Sequence, residues 1–339
     1  MILPKMKMMK YIKIIILAIS LCFGAGQLKA QIDPHYSQYY ANPLWLNPAL
    51  TGITDGQYRV NINAKQQWSS VGKGFLTAGA SFDTQPKKNL SFGAMIINQN
   101  AGEISYNQLN ALLSGAYQVK FGKNGDQVVS FGLQAGIINK SFDPSKITLG
   151  SQFNPITGYD PSMPFNETFA SSNYLAPDVN TGVMFFDATP NKKVNVFAGV
   201  AMSHLTKPKD KFIGGDATMP MRFTGHGGAR IMINHMLDIT PNFIYLKQGQ
   251  AEEIAAGAYA KLMLNPENDL IFGASYRVDD AAIAFLGMQI KNMVIGASYD
   301  FNTSQLNRAT ASKGGFELSV SFTSRKKGEA GPNFFCPRL

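Results

Sequence analysis

The chain has 339 residues, 45% of them apolar, with 31 Lys and Arg against 22 Asp and Glu. Five of the basic residues (Lys5, Lys7, Lys10, Lys13 and Lys29) fall in the first thirty positions, which leaves 26 basic against 22 acidic residues, net +4, beyond them. So thin a charge excludes a nucleic-acid footprint, and the one cysteine left beyond residue 30, Cys336, excludes an intrachain disulfide there.

The start reads as a basic segment, MILPKMKMMKYIK, an apolar run from Ile14 to Gly26, and a small-residue exit at Leu28-Lys29-Ala30. That is the pattern of a secretory signal peptide over 1–30, cleaved after Ala30, and the run is short for a spanning helix of about 20 residues. Cys22 follows Leu21 rather than the small residue that lipid attachment prefers.

Residues 31–56 hold two Asn-Pro pairs, Asn42-Pro43 and Asn47-Pro48, among Tyr36, Tyr39, Tyr40, Leu44, Trp45 and Leu46. Proline removes a backbone donor and pushes its predecessor towards extended geometry, so neither a regular helix nor a central strand is expected. The stretch is also too aromatic for a disordered tail. Two readings fit: a plug folded into a barrel lumen, with the Asn-Pro pairs at its bends, or an arm packed beneath the barrel.

From 57 to 323 the chain alternates with period two. Leu76, Ala78, Ala80 and Phe82 oppose Thr77, Gly79, Ser81 and Asp83; Leu90, Phe92, Ala94 and Ile96 oppose Ser91, Gly93 and Met95. Val294, Gly296, Ser298 and Asp300 likewise oppose Met293, Ile295, Ala297, Tyr299 and Phe301. About fourteen such runs start near 57, 74, 90, 104, 127, 179, 194, 221, 236, 251, 269, 281, 292 and 315, most of them ~9–13 residues long, the length of a tilted membrane strand. One face is apolar and the other is Gly, Ser, Thr, Asn and Gln, the reverse of a water-soluble sandwich. The predicted fold is all-β, a transmembrane antiparallel barrel of about fourteen strands with an irregular N-terminal segment and the lipid bilayer as its solvent. Phe82, Tyr276, Tyr299 and Phe301 suit aromatic girdles; a secreted soluble sandwich is the competing fold.

Long loops are expected at 142–178, 206–220 and 302–314, on the extracellular side. The first carries Phe142, Phe153, Tyr159, Phe165, Phe169 and Tyr174, candidates for contact with a partner, with a lid over the mouth as the alternative. The tail, 324–339, follows the last strand. An even strand count puts both termini on the periplasmic side, Arg325, Lys326 and Lys327 near lipid phosphates, and Phe334 and Phe335 in need of a partner or the periplasmic mouth.

Chemistry is sparse. His35, His204, His226 and His235 show no metal-ligand spacing, the GHGG around His226 lacks a strand-turn-helix context, and no G-x-S-x-G elbow occurs. Glu252-Glu253 and Asp279-Asp280 read as solvated turn residues. No catalytic residue, metal ligand or cofactor is expected.

QIDPHYSQYYANPLWLNPALTG, QQWSSVG (66–72) and the closing FFCPRL resemble the PorP/SprF family, outer-membrane proteins of type IX secretion and gliding motility in Bacteroidetes. Asp33, Pro34, Tyr36, Ser37, Gln38 and Tyr39 match the first half of its opening motif; Asn42, Pro43, Leu44, Asn47, Pro48 and Ala49 match the second. Before Trp68 the family often has Arg-Asn-Gln, and here Gln66 departs from it. The resemblance implies a non-enzymatic barrel that partners or anchors exported proteins carrying C-terminal sorting domains, beside the type IX translocon. It also implies a link to a periplasmic peptidoglycan-binding lipoprotein. Tyr36, Gln38, Tyr39, Asn42, Pro43, Leu44, Trp45, Asn47, Pro48 and Trp68 become plug or partner contacts. The alternative function is transport of hydrophobic or small solutes, as in the fatty-acid channels.

Overall fold

The computed structural model describes residues 33–70, 72–122, 125–148, 152–154, 156–160, 162–163, 171–209, 212, 218–305 and 307–324. The expected signal peptide (1–30), the tail beyond Ser324, Phe165 and Phe169 lie outside these residues.

Fourteen antiparallel strands close into one barrel. They are β1 (Tyr58–Gln67), β2 (Phe75–Lys87), β3 (Leu90–Ala101), β4 (Tyr106–Phe121), β5 (Gln127–Ser141), β6 (Asn173–Asp187) and β7 (Val194–Ser203). They continue with β8 (Arg222–Met232), β9 (Leu237–Gln248), β10 (Ala251–Asn265), β11 (Asn268–Arg277), β12 (Ala281–Ile290), β13 (Met293–Asn302) and β14 (Lys313–Ser324). Each strand pairs with its sequence neighbours, and β1 closes on β14 from Tyr58↔Ser324 to Gln67↔Gly315. No edge is left with unpaired backbone, as a bilayer requires.

The alternation decides which face meets lipid. Leu76, Phe82, Phe92, Ile96, Ile295 and Phe301 point out; Thr77, Ser81, Asp83, Ser91, Ser298 and Asp300 are buried inside. The inner face also carries apolar residues. Met95, Ile97, Leu112, Met184, Phe186 and Ile244 point inward and form a core with the N-terminal segment, so the small polar inner face expected from the alternation holds for only part of the wall.

One strand departs from its expected start. Residues 173–178, with Pro177, resemble loop, yet Tyr174 and Leu175 pair with Lys140 and Asn139 and Pro177 pairs with Ile137. The β5–β6 pair thus rises beyond the rim and shortens the connection to 142–172. Within it, Phe153–Asn154 and Gly158–Tyr159 form a small hairpin.

The connections separate by length. One rim, the loop rim, carries 68–74, 102–105, 142–172, 204–221, 249–250, 278–280 and 303–312. The other, the turn rim, carries 88–89, 122–126, 188–193, 233–236, 266–267 and 291–292. Tyr58 and Ser324 share the turn rim, as an even strand count requires. The first described residue does not. The segment before β1 runs the height of the lumen and brings Asp33 beside His204 and Arg222 at the loop rim. The two ends of the chain lie outside the described residues; Asp33 stands at the loop rim because residues 33–56 double back inside the wall.

Leu113, in the middle of β4, is 70% exposed on the outer face. Leu113→Arg should destabilise the barrel in lipid vesicles by about 2–4 kcal/mol, the cost of a lipid-facing cation near the midplane. Denaturant unfolding reads it; an unchanged midpoint would place this face in water.

Candidate functional site

The lumen is the candidate site, and the Asn-Pro pairs explain its conformation. Pro43 opens a single helical turn, Pro43–Leu46, and Pro48 opens a 3-10 turn, Pro48–Leu50, each at the first helical position where proline needs no N–H. The Asn47 side-chain carbonyl accepts from Ala49 N (2.9 Å) and so caps the second turn. The Asn47 amide nitrogen donates towards the backbone carbonyls of Val183 (3.1 Å) and Val200 (3.3 Å) and stands 3.1 Å from His226 Nε2. One asparagine thereby ties the segment to β6, β7 and β8.

The wall is shaped to admit this approach. A Cβ at Gly182 would fall on Asn47 Oδ1, and one at Gly132 would fall on the Pro48–Ala49 peptide. Only glycine lets the segment's backbone lie this close. Around it Tyr36 meets Trp45 edge-on at 5.3 Å, Tyr40 meets Phe285 at 5.8 Å, and the Tyr39 hydroxyl bonds Asn242.

Higher up, the segment's backbone is read by the last strand. Glu317 accepts from Ser37 N (2.6 Å), Gln38 Nε2 donates to the Glu317 carbonyl (3.0 Å), and Ser319 Oγ donates to Gln38 Oε1 (2.6 Å). At the loop rim two ionic clusters hold the start of the segment. His35 Nδ1 faces Glu253 (3.1 Å), while its Nε2 receives Arg277 (2.6 Å) and Gln67 (3.0 Å). Arg277 and Lys65 both reach Asp300, at 2.6 and 3.4 Å. In the second cluster, His204 lies between Asp33 (2.6 Å) and Asp178 (3.1 Å), and Arg222 joins Asp33 at 3.2 Å while lying 4.9 Å over Trp45. Burial alone would depress the His204 imidazole, but the two carboxylates outweigh it and raise it to about 9. Burial favours the neutral form of Asp33, yet His204, Arg222 and Lys140 hold it well below the usual carboxylate range. Near the turn rim, Arg59 clasps Asp83 (2.7 Å), which also accepts from Gly52 N (2.7 Å).

Little space remains. The cavity beside Tyr39, Tyr40, Leu46, Phe197 and Tyr259 has a volume of about 30 Å³, room for two or three waters at roughly 10–15 Å³ each.

Tyr36, Gln38, Tyr39, Asn42, Pro43, Leu44, Trp45, Asn47 and Pro48 therefore come together inside the barrel, all buried. Trp68 does not join them. It is half-buried in the 68–74 connection at a φ of 53°, edge-on to Phe75. In the long loop Phe153 and Tyr159 are exposed and 5.7 Å apart, whereas Tyr174 is only 5% exposed and packs edge-on to Phe212. One expectation is overturned. Glu253 is not a solvated turn residue, because it faces inward from β10 and meets His35; Glu252, beside it, points out and bonds Tyr245. His204, Arg222, Lys65, Arg277 and Glu317 had no motif to single them out. Their only signal was a charge or histidine at an inward position of an alternating strand or at its end. Among the described residues no group of His, Cys, Asp and Glu is placed to hold a metal ion.

A closed fourteen-strand barrel with an apolar outer face and a filled lumen defines a membrane β-barrel of the outer-membrane type. Residues 28–322 match the family described as "Type IX secretion system membrane protein PorP/SprF", and the chain belongs to that family. No curated protein sequence matches it significantly. Among solved structures, the toluene transporter TbuX of Ralstonia pickettii is similar, with a TM-score of 0.51 and 12% identity over 83% of this chain and 92% of that one. A mutant of the monoaromatic hydrocarbon channel TodX gives 0.48 and 12% over 84% and 94%. At such identity the likeness to TbuX is one of fold.

Two outcomes test the lumen. Gly182→Val should force the Asn47 side chain out and destabilise the barrel by about 1–3 kcal/mol, an overpacking cost, while β6 still pairs; quenching of Trp45 by acrylamide should rise. His204 also makes stability pH-dependent. Its folded pKa, about 9, lies above the ordinary value near 6.5, so its contribution is complete below about 6.5 and lost as pH rises through about 9. Thermal unfolding in detergent should move to lower temperature over that window, and His204→Gln should flatten the profile; parallel profiles would show that the His204 cluster does not set the pH dependence.

Proposed function

We propose that this protein is a non-enzymatic partner and anchor in type IX secretion, working at its two rims rather than through its lumen. The loop rim faces the cell surface and the turn rim faces the periplasm, since long loops in outer-membrane barrels are extracellular and tight turns periplasmic. At the loop rim the protein meets the translocon and an exported protein carrying a C-terminal sorting domain. At the turn rim it meets periplasmic components, a peptidoglycan-binding lipoprotein among them.

The observation that carries this reading is the occupied lumen. Residues 33–56 pack through it and leave a cavity of about 30 Å³ beside Tyr39, Tyr40 and Tyr259; the pocket of about 300 Å³ at the turn rim is lined mostly by polar and charged residues, Arg230, Asp238 and Lys261 among them. A channel for hydrophobic or small solutes needs a predominantly apolar pocket of roughly 300 Å³ or more. The protein's likeness to TbuX therefore supports a shared barrel and not a shared cargo.

The 142–172 connection supplies the contact surface. Its hairpin presents Phe153, Ile156 and Tyr159 to solvent, with Ile156 93% exposed. Large side chains of this kind dominate protein interfaces. Replacing residues 145–170 by a Gly-Ser linker should abolish co-purification of large exported proteins from native membranes and leave the barrel folded and non-conducting in planar bilayers. Normal co-purification with a newly conducting barrel would make the loop a lid and end the docking reading.

A further inference from the structure

The polar pocket of about 300 Å³ at the turn rim has a second property. Among its charged walls stand four soft donors: the thioethers of Met232, Met236 and Met263 and the imidazole of His235. Packing does not account for the methionines, since Met236 is 57% and Met263 42% exposed in a polar mouth, and a half-exposed side chain gains little by leaving water. The charged groups are already engaged with one another. Arg230 holds Asp238 at 2.6 Å, and Lys261 holds Asp269 at 2.7 Å while donating to Gln289 at 3.1 Å.

The backbone brings these donors together from three elements. Met232 follows Arg230 on the inward face of β8, and Met263 follows Lys261 on that of β10. His235 and Met236 stand on the turn between β8 and β9. Asn234 Oδ1 holds that turn by accepting from Met236 N (2.8 Å) and Leu237 N (2.9 Å). Met263 N donates to the Met236 carbonyl (2.7 Å) and so ties the turn to β10. Thioethers and imidazole are neutral, polarisable ligands that suit a soft monovalent ion, whereas Mg²⁺ and Ca²⁺ need carboxylate oxygens. Here Asp238 and Asp269 are held by Arg230 and Lys261, whose own charges oppose a divalent ion. We propose that the vestibule is a soft-metal site, in which Met232, Met236, Met263 and His235 take one Cu(I) ion. The bound ion would join the 233–236 turn to β8 and β10 and stiffen this part of the rim. The site stands on these side chains alone and does not depend on the secretion role proposed above.

The test uses the full-length protein purified from outer membranes in detergent. All variants carry Cys336→Ser, because a thiolate binds Cu(I) more strongly than a thioether does. Cu(I), kept reduced with ascorbate, is titrated against the chromogenic chelator bicinchoninate. The protein should withdraw one equivalent of copper from the chelator. Met236→Leu, at an exposed turn position, should weaken the uptake, and His235→Gln should do the same. Met232→Leu, Met236→Leu and Met263→Leu together should abolish it. Leucine conserves the volume of methionine, so the triple variant should keep the parent's metal-free thermal midpoint. Undiminished uptake by the triple variant would place the copper on other donors and overturn the proposal. So would no withdrawal by the parent, or displacement of Cu(I) by equimolar Zn(II), which would make the site one of imidazole and carboxylate.

Discussion

A barrel of fourteen strands encloses more space than its own inward side chains can fill, and the way that space is occupied governs the rest of this molecule. Here the filler is the chain's own residues 33–56. Tyr36, Leu44, Trp45, Leu46, Leu50 and Ile53 are all buried against the wall, each contributing about 1.5–3 kcal/mol by leaving water. The lumen is in consequence a hydrophobic core of the kind a soluble protein has, inside a wall whose outer face is apolar as well. The inward glycines and the inward Met, Ile and Leu residues are two answers to one demand: the wall must approach closely where the segment's backbone passes and supply volume where it does not.

The charged residues have a different role. Burying ions costs desolvation that attraction only partly repays, so such clusters contribute less to stability than to uniqueness of arrangement. The apolar side chains would tolerate sliding along the wall. Glu317 on the Ser37 and Gln38 amides, Asp33 between His204 and Arg222, and Asp83 on the Gly52 amide would not. Asp33 fixes the register at the loop rim, Glu317 below it and Asp83 near the turn rim, and each contact breaks if the segment shifts by one residue.

Most of the wall was legible from period two alone, because a bilayer forces a strict division between outward and inward residues. The start of β6 was not, since Pro177 reads as loop and only its partner Ile137 shows the pair continuing. The N-terminal segment was legible as apolar, irregular and anchored by Asn-Pro pairs. Its direction was not: nothing local in HYSQYY indicates that Tyr36 stands nearer the loops than Trp45. Direction is set by contacts such as Ser37 with Glu317, 280 positions away, and single-sequence periodicity carries no information at that range. The ionic clusters were hidden for the same reason. Glu253 next to Glu252 looks like half of a solvated pair until the strand assigns one inward and the other outward.

The segment that precedes β1 is gripped by β14. Gln38 exchanges hydrogen bonds with Glu317 and Ser319 across about 280 positions of sequence. The first part of the wall-bearing chain to be made is thus finished only by the last. A wall closed without its filler would leave its inward Met, Ile and Leu residues facing an unfilled lumen, and a filler without β14 would lack the acceptor for its Ser37 and Gln38 amides. Seam and filler share β14, so a form that lacks this strand would expose unpaired strand edges and apolar lumen residues together, two signals by which quality control can recognise an unfinished barrel.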